Sequence, residues 1–198
     1  MKANELPLFP LHTVLFPGGE LQLRIFETRY LDMVRMCTRE QRPFGVCLFL
    51  DADEDVLPAR PAALGTAASI IDFNTLPDGM LGIRCEGGQR FHVERTKVRD
   101  NGLIVAEVEF IDDDAEASVR PEHALLVQLL EHILAQVGGP HAKAPRACFD
   151  QAHWVSCRLA ELLPFDTAAQ QRLLQCHDPH ARMQRVVDEL PGLDRDGG

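Results

Sequence analysis

Apolar and polar positions change period along this chain, from two in its front half to 3.6 in its back third. Leu6-Pro-Leu-Phe-Pro-Leu11 and residues 21–26 are short apolar runs separated by Pro17-Gly18-Gly19. Proline fixes φ and glycine tolerates positive φ, so the spacing predicts strand, turn, strand, a first hairpin shaped by Pro10 and Pro17. Tyr30, Met33, Val34 and Cys37 follow at helical spacing, with Glu27 and Thr28 as available caps and Pro43 beyond the end. Residues 44–50 are continuously apolar, which predicts a strand buried on both faces. Residues 64–73 are β-like, Leu76-Pro-Asp-Gly79 is a hairpin turn, and residues 80–85 pair back. Gly87-Gly88 predicts a further turn before a strand at 90–98, and Asn101-Gly102 is a strong hairpin signal. In the last strand Ile104, Ala106, Val108 and Phe110 share one face, while Glu107 and Glu109 take the other. Short strands spaced by turns predict a small barrel or sandwich.

The period changes at Asp112-Asp-Asp-Ala-Glu116, which places a domain boundary there and divides the chain into 1–115 and 116–198. Residues 118–137 predict a long helix with Leu126, Leu130, Ile133 and Val137 on one stripe, widened by Leu125, Val127, Leu129 and Leu134. Gly138-Gly-Pro140 stops it. Ala152, Val155, Leu159 and Leu162 predict a second helix, closed by Pro164. Thr167 with Gln170 resembles a capping box for a third. Asp178-Pro179 reads as N-cap and first-turn proline for a fourth, carrying Met183, Val186, Val187 and Leu190 and ended by Pro191-Gly192. These stripes predict a carboxy-terminal helical bundle, and the fold class is α+β.

Composition narrows the chemistry. Of 198 residues 45% are hydrophobic and 25% charged, which is ordinary for a soluble globular chain. No apolar run reaches the ~20 residues of a membrane span, and the start has no hydrophobic signal core, so a soluble cytoplasmic protein without membrane contact is expected. The formal charge of −10 opposes nonspecific binding to phosphate backbones. Arg84, Arg90, Arg95, Lys97 and Arg99 form a local basic segment, diluted by Glu86 and Glu94. Six cysteines without a C-x-x-C pair read as buried free thiols. There is no P-loop, no G-x-G-x-x-G, no H-E-x-x-H and no G-x-S-x-G. No lysine stands where a serine nucleophile would need a desolvated amine. His177 and His180 after Cys176, and His153 with Cys157, lack a second half-site, so no metal and no cofactor is expected. Asp53, Glu54 and Asp55 read as a solvated charge run. The expectation is a non-enzyme.

Taken in order, Leu6-Pro-Leu-Phe-Pro-Leu11, Phe16-Pro-Gly-Gly19, Ile25-Phe-Glu-Thr-Arg-Tyr30 and Met33 resemble stand-alone bacterial members of the Lon amino-terminal domain family. The resemblance continues through Leu64-Gly-Thr66, Gly79, Gly88-Gln-Arg-Phe-His-Val93, Leu159-Ala-Glu-Leu-Leu-Pro164, Gln171-Arg-Leu-Leu174 and Arg182. It implies a PUA-like antiparallel β-barrel or sheet with one inserted helix, then the helical bundle. It also implies a substrate-binding module that contacts polypeptide, an unfolded substrate or a partner protein, without the ATPase and peptidase parts of Lon. An RNA-binding PUA-like module is the alternative.

The matched positions Pro10, Pro17, Gly18, Glu27, Arg29, Tyr30, Gly65, Gly79, Gly88, Arg90 and Phe91 read as architectural. Gly18, Gly79 and Gly88 suit positive φ. Glu27 and Arg90 carry charge within apolar surroundings, and are expected either to pair with each other or to cap and face water. Phe9, Phe16, Phe26, Phe44 and Phe49 are the candidate lining of a binding groove where the β layer meets the helices, or else plain core.

Overall fold

A computed structural model describes residues 5–50, 60–112 and 117–193, so the acidic run at 51–59 and residues 113–116 of the boundary lie outside the described residues. By its internal contacts the chain forms two units, Met1–Asp112 and Asp113–Gly198.

The first unit contains β1 (Glu5–Leu11), β2 (Glu20–Ile25), α1 (Thr28–Glu40), β3 (Phe44–Leu50), β4 (Arg60–Thr75), β5 (Leu81–Val98) and β6 (Ile104–Phe110). The strands form one six-stranded sheet in the order β2-β5-β4-β3-β1-β6, and β5 also pairs with β6. Pairing therefore returns on itself through β5, β4, β3, β1 and β6, with β2 added on the outer part of β5.

Both faces of β1 and β3 are buried, which is why these strands read as unbroken apolar runs, whereas β5 and β6 keep exposed residues. Leu6, Leu8, Cys47, Ala67, Phe91, Ala106 and Val108 form one core cluster. Their chain neighbours Phe9, Val46, Ala68 and Val105 point the other way, into a second cluster with Tyr30, Met33, Val34 and Cys37 of α1. Successive strand side chains alternate in direction, so one strand feeds two cores. Phe9 stacks on Tyr30 with ring centroids 4.0 Å apart.

Three expectations are corrected. The sheet is mixed, because β1 runs parallel to β3, and β1 and β2 form no hairpin: β2 pairs with β5 instead. Gly87-Gly88 does not turn the chain. β5 runs unbroken through it for 18 residues, and Gly88 is absent from the positive-φ glycines, which include Gly18 and Gly79. Gly87 is needed for close approach: a Cβ there would strike the Phe16 carbonyl. The Pro17-Gly18-Gly19 turn lies against it, with Gly18 N donating to Gly87 O at 2.6 Å and Gly87 N donating to Gly19 O at 2.8 Å.

The second unit contains α2 (Ala124–Val137), α3 (Arg146–Phe149), α4 (Ala152–Leu162), α5 (Thr167–Leu174) and α6 (Pro179–Leu193). The helix expected from 118 starts only at 124, because Pro121 opens a short 3-10 turn and Ser118 bridges Gln151. Asp166, not Thr167, caps α5, its side chain accepting from Ala169 N at 2.6 Å. Helix α6 continues through Pro191-Gly192 to Leu193. Helices α2, α3, α5 and α6 all contact α4.

Arg182 of α6 is fully buried. Its Nε donates to Leu173 O at 3.0 Å and its Nη2 to Cys176 O. Its Nη1 donates to Ser156 Oγ at 3.2 Å and reaches Cys157 Sγ at 3.5 Å. The guanidinium thus takes up carbonyls at and just beyond the end of α5 and ties them to α4. A cation at a helix C-terminus is favoured by the helix dipole as well.

Arg182→Met should cost about 3 kcal/mol, because it orphans buried acceptors, read as a lower denaturation midpoint followed by Trp154 fluorescence. Gly65→Ala should cost about 1–3 kcal/mol by overpacking, since its Cβ would meet Cys47 Sγ at 2.6 Å and Phe91 Cζ at 2.9 Å. Gly88→Ala should be near neutral, its nearest neighbour being Ala67 O at 3.5 Å. Urea midpoints followed by far-ultraviolet dichroism separate the two glycines.

Candidate functional site

The site begins where β4 outruns its neighbour. On one side β5 pairs with β4 as far as Thr75. On the other side β3 stops at Phe44, opposite Ala68. Residues 69–75 therefore keep one edge that no strand among the described residues covers. A bulge between Ile70 and Asp72 leaves Ile71 as the extra residue and sets Phe73 opposite Ile83. Side chains opposite one another share a face. Phe73 thus lies on the face of the core residue Ile83, yet remains 47% exposed, and Ile71 is 44% exposed.

The facing wall is the end of α1. Gln41 takes a left-handed φ of 49°. Its N–H donates to Thr38 O, and the N–H of Arg42 donates to Cys37 O. This is the hydrogen-bond pattern of a Schellman cap, made here without glycine. It turns the chain sharply into Pro43 and β3. The gap left between helix end and strand is a cavity of about 330 Å³ lined by Cys37, Thr38, Gln41, Arg42, Ser69, Ile70 and Phe73. Arg42 Nη2 donates to Glu5 O at 3.0 Å, and its Nη1 lies 4.0 Å from Glu40 Oε2. Thr38 Oγ1 donates to Val34 O at 2.8 Å. The remaining lining is apolar or neutral, so the groove offers ring surface, aliphatic surface and one cation.

The Cys37 thiol is held protonated at neutral pH. Burial, with Glu40 adding to it, pushes its thiol up to about 11. Burial likewise takes Cys47 and Cys85 to about 12. The thiolate, which is the reactive form, is therefore scarce at neutral pH. Among the described residues no three His, Cys, Asp or Glu side chains converge as metal ligands. Cys157 Sγ lies 3.8 Å from His153 Nε2, and His180 stacks with His123 at 6.0 Å.

The aromatic residues named from sequence fall in different places. Phe9, Phe16 and Phe44 are buried in the core, Phe49 is half-buried against His12, and Phe26 is 64% exposed. None of the five lines the groove. Phe73, which does, closes a β-like run and carries no motif, so nothing in the sequence marks it out.

Among the architectural positions, Pro10 pairs with Cys47 in the β1–β3 register. Pro17 precedes Gly18, whose φ is 71°. Gly79 has φ 81° in the β4–β5 turn, with nothing near it. Gly65 and Phe91 pack together. Arg90 is fully buried opposite Thr66. Its expected pairing with Glu27 is corrected: Glu27, at the start of α1, pairs with Arg29 at 2.7 Å. Arg29 also donates to Gly102 O and lies over the Tyr30 ring at 4.8 Å.

The basic segment is partly neutralised in place. Arg84 lies within 3.6 Å of Glu20 and 3.4 Å of Asp72. Arg95 stands opposite Glu107.

Comparison with known proteins places these elements in context. The profile of the ATP-dependent protease La (LON) substrate-binding domain matches residues 5–191. The solved Lon N-terminal domain protein from Xanthomonas campestris is 46% identical, with a TM-score of 0.79, covering 93% of this chain and 97% of that one. The N-terminal domain of Mycobacterium avium complex Lon protease shares the fold at 15% identity, with a TM-score of 0.66 over 93% of this chain and 96% of that one. Lon protease of Methylocella silvestris is 27% identical over 191 residues, 89% of this chain and 22% of that protein. The chain thus spans about a quarter or less of the curated Lon proteases it matches, their covered share running from 22% to 25%. No helix among the described residues is long and apolar enough to cross a membrane.

The raised thiols set a pH dependence. From the ordinary 9.0 up to about 11 or 12, the folded chain keeps protons that the unfolded chain releases. Stability from these groups is fully present below pH 9 and falls as pH rises through that window. Urea midpoints should drop between pH 8 and pH 10.5, and drop less in a Cys37→Ala, Cys47→Ala, Cys85→Ala variant. At pH 8 the native protein should leave these three thiols unalkylated by iodoacetamide, and urea should expose them.

Proposed function

Because the chain belongs to the Lon substrate-binding domain family, we propose that it is a noncatalytic module that recognises polypeptide, and that the groove between α1 and β4 is where it does so. The observation that carries this reading is Phe73, an aromatic ring held nearly half exposed on a strand edge that no described strand covers, beside a cavity of mixed polar and apolar lining. An isolated exposed apolar residue needs no explanation, but Ile71 and Phe73 beside a lined groove make a surface suited to apolar side chains of a partner. The same reading takes the closed strand circuit as a PUA-like barrel and the second unit as a helical bundle. Its substrates are unfolded or loosely folded chains, which expose both apolar side chains and free backbone. Partial neutralisation of the basic β5 segment favours polypeptide over RNA.

A fluorescently labelled, reduced and carboxymethylated unfolded protein should bind with measurable anisotropy change. Phe73→Asp should weaken that binding by at least about tenfold, the scale of a central aromatic contact. Phe26→Asp, at a more exposed ring outside the groove, should leave it unchanged. Equal binding by both variants would remove the groove from the reading. Tight, salt-sensitive binding of single-stranded RNA in place of the unfolded protein would replace it.

A further inference from the structure

We propose that the outer edge of β2 is a contact for a second copy of this chain, formed as an antiparallel β2–β2 ladder across a twofold axis at Gln22. Strand β2 ends the sheet and, among the described residues, pairs with β5 alone. Outside that ladder its backbone N–H and C=O groups have no partner among the described residues. An unpaired edge of this kind is a template for another strand. The β4 edge differs, since the N–H of Phe73 is taken by Asp72 Oδ1 at 2.9 Å.

The side chains of β2 divide between two faces. Leu21 and Leu23 stand opposite Cys85 and Ile83 and pack, partly buried, on the core shared with α1. Glu20, Gln22 and Arg24 stand opposite Glu86, Arg84 and Gly82 on the other face. A second β2 sets leucine beside leucine only in registers centred on a residue, because a slip by one exchanges the faces. Centred on Leu21, the ladder brings Arg24 to the second copy's Pro17-Gly18-Gly19 turn. Centred on Leu23, it sets Gln22 against Arg24 and carries Glu20 past the strand's end. Centred on Gln22, it sets Glu20 against Arg24 of the second copy, Leu21 against Leu23, and Gln22 against itself. The twofold makes each charge pair and each leucine pair twice. Opposite charges and apolar pairs directly across a ladder are the favourable ones.

Both charges keep capacity for a partner. Arg24 Nη2 lies 2.7 Å from Asp78 Oδ2 and its Nε donates to Met80 Sδ at 3.1 Å, which leaves the N–H groups of Nη1. Glu20 Oε2 lies 3.6 Å from Arg84 Nη1, which leaves Oε1. The formal charge of −10 opposes association. At physiological salt the Debye length is about 8 Å, so groups at the edge set the pairing more than distant ones do. Charges on an edge guard against indiscriminate pairing. Here one register alone turns that guard into a match. An arbitrary polypeptide has no such order, whereas a second copy supplies it by symmetry.

The ladder joins two β4-β5-β2 arms into one sheet, with both α1 helices on the same side. The two α1–β4 grooves then stand at opposite edges, about 24 Å apart at ~4.8 Å per strand. One unfolded chain can reach both, which raises its apparent affinity. Bivalent capture requires the polypeptide-binding groove; the ladder does not.

Sedimentation equilibrium of the full chain, with no polypeptide added, should show a weak monomer–dimer equilibrium, as small transient interfaces do. Glu20→Arg or Arg24→Glu alone sets like charges across the ladder twice, and each should raise the dimer Kd at least about tenfold. The two substitutions together restore the pair in reversed order, and should return Kd to within about threefold of the unaltered chain. Disturbance of the pairs to Arg84 and Asp78 within one chain predicts the reverse, with the double variant the weakest. If the double variant does not fold, Gln22→Cys decides. At the axis it should give a disulfide-linked dimer with oxidised glutathione, while Arg35→Cys, exposed on α1, should not. A monomer up to about 1 mM would overturn the inference and leave the polypeptide reading standing. So would a double variant weaker than either single one, or a dimer that only Phe73→Asp dissolves. Loss of unfolded-protein binding in Glu20→Arg, with the unaltered chain monomeric, would assign the edge to substrate instead.

Discussion

One aromatic ring set against two glycines underlies the first unit. Phe91 of β5 fills the interior cluster between β1, β3, β4 and β6. A Cβ on Gly45 would lie 2.6 Å from Phe91 Cζ and 2.6 Å from Leu8 Cδ2, and one on Gly65 would lie 2.9 Å from the same ring carbon. The ring therefore occupies volume that any side chain at 45 or 65 would claim. Interiors pack at crystal-like density, so neither a smaller ring nor a larger glycine substitute is easily absorbed. With the ring seated, β5 can pair with β4 and β6 at once, and the strand circuit closes.

Closure has a consequence for the edge. A strand circuit hides the edges of every strand it includes, but only over the length its neighbours share. β4 has 16 residues and β3 has 7. The excess of β4 pairs with β5 on one side and, among the described residues, meets no strand on the other. The same β5 excess receives β2, so this arm is a small three-stranded extension with β4 at one edge. Helix α1 connects β2 to β3, and its left-handed end at Gln41 is what sets a wall opposite that edge. The groove is thus a product of unequal strand lengths and one helix cap.

The chemistry near the groove is quiet. Burial keeps the Cys37 thiol protonated, and the nearest charged group, Arg42, holds a backbone carbonyl. Such a surface can sort partners by shape, apolar contact and charge. That agrees with a chain that matches only the substrate-binding portion of Lon proteases. In the second unit Arg182 does comparable structural work, converting the loose carbonyls around the end of α5 into a joint with α4 and α6.

Local signals in the sequence determined a good deal. Period-two alternation, proline and glycine turns, and helical stripes located α1 and five of the six strands and cut the sixth, β5, in two at Gly87-Gly88, because these signals depend on residues close together in the chain. The motif order from Leu6 to Arg182 was enough to suggest the family. Partners distant in sequence were another matter. That β1 would lie parallel to β3 and that Gly87 would receive a turn rather than make one depend on which strands become neighbours. The groove belongs to the same class. Phe73 is unremarkable in sequence, and the aromatic residues that stand out there, Phe9, Phe16 and Phe44, serve the core. Whether a phenylalanine is buried or offered to a partner depends on whether another element covers it. Only the folded chain decides that, since the covering element comes from elsewhere in the sequence.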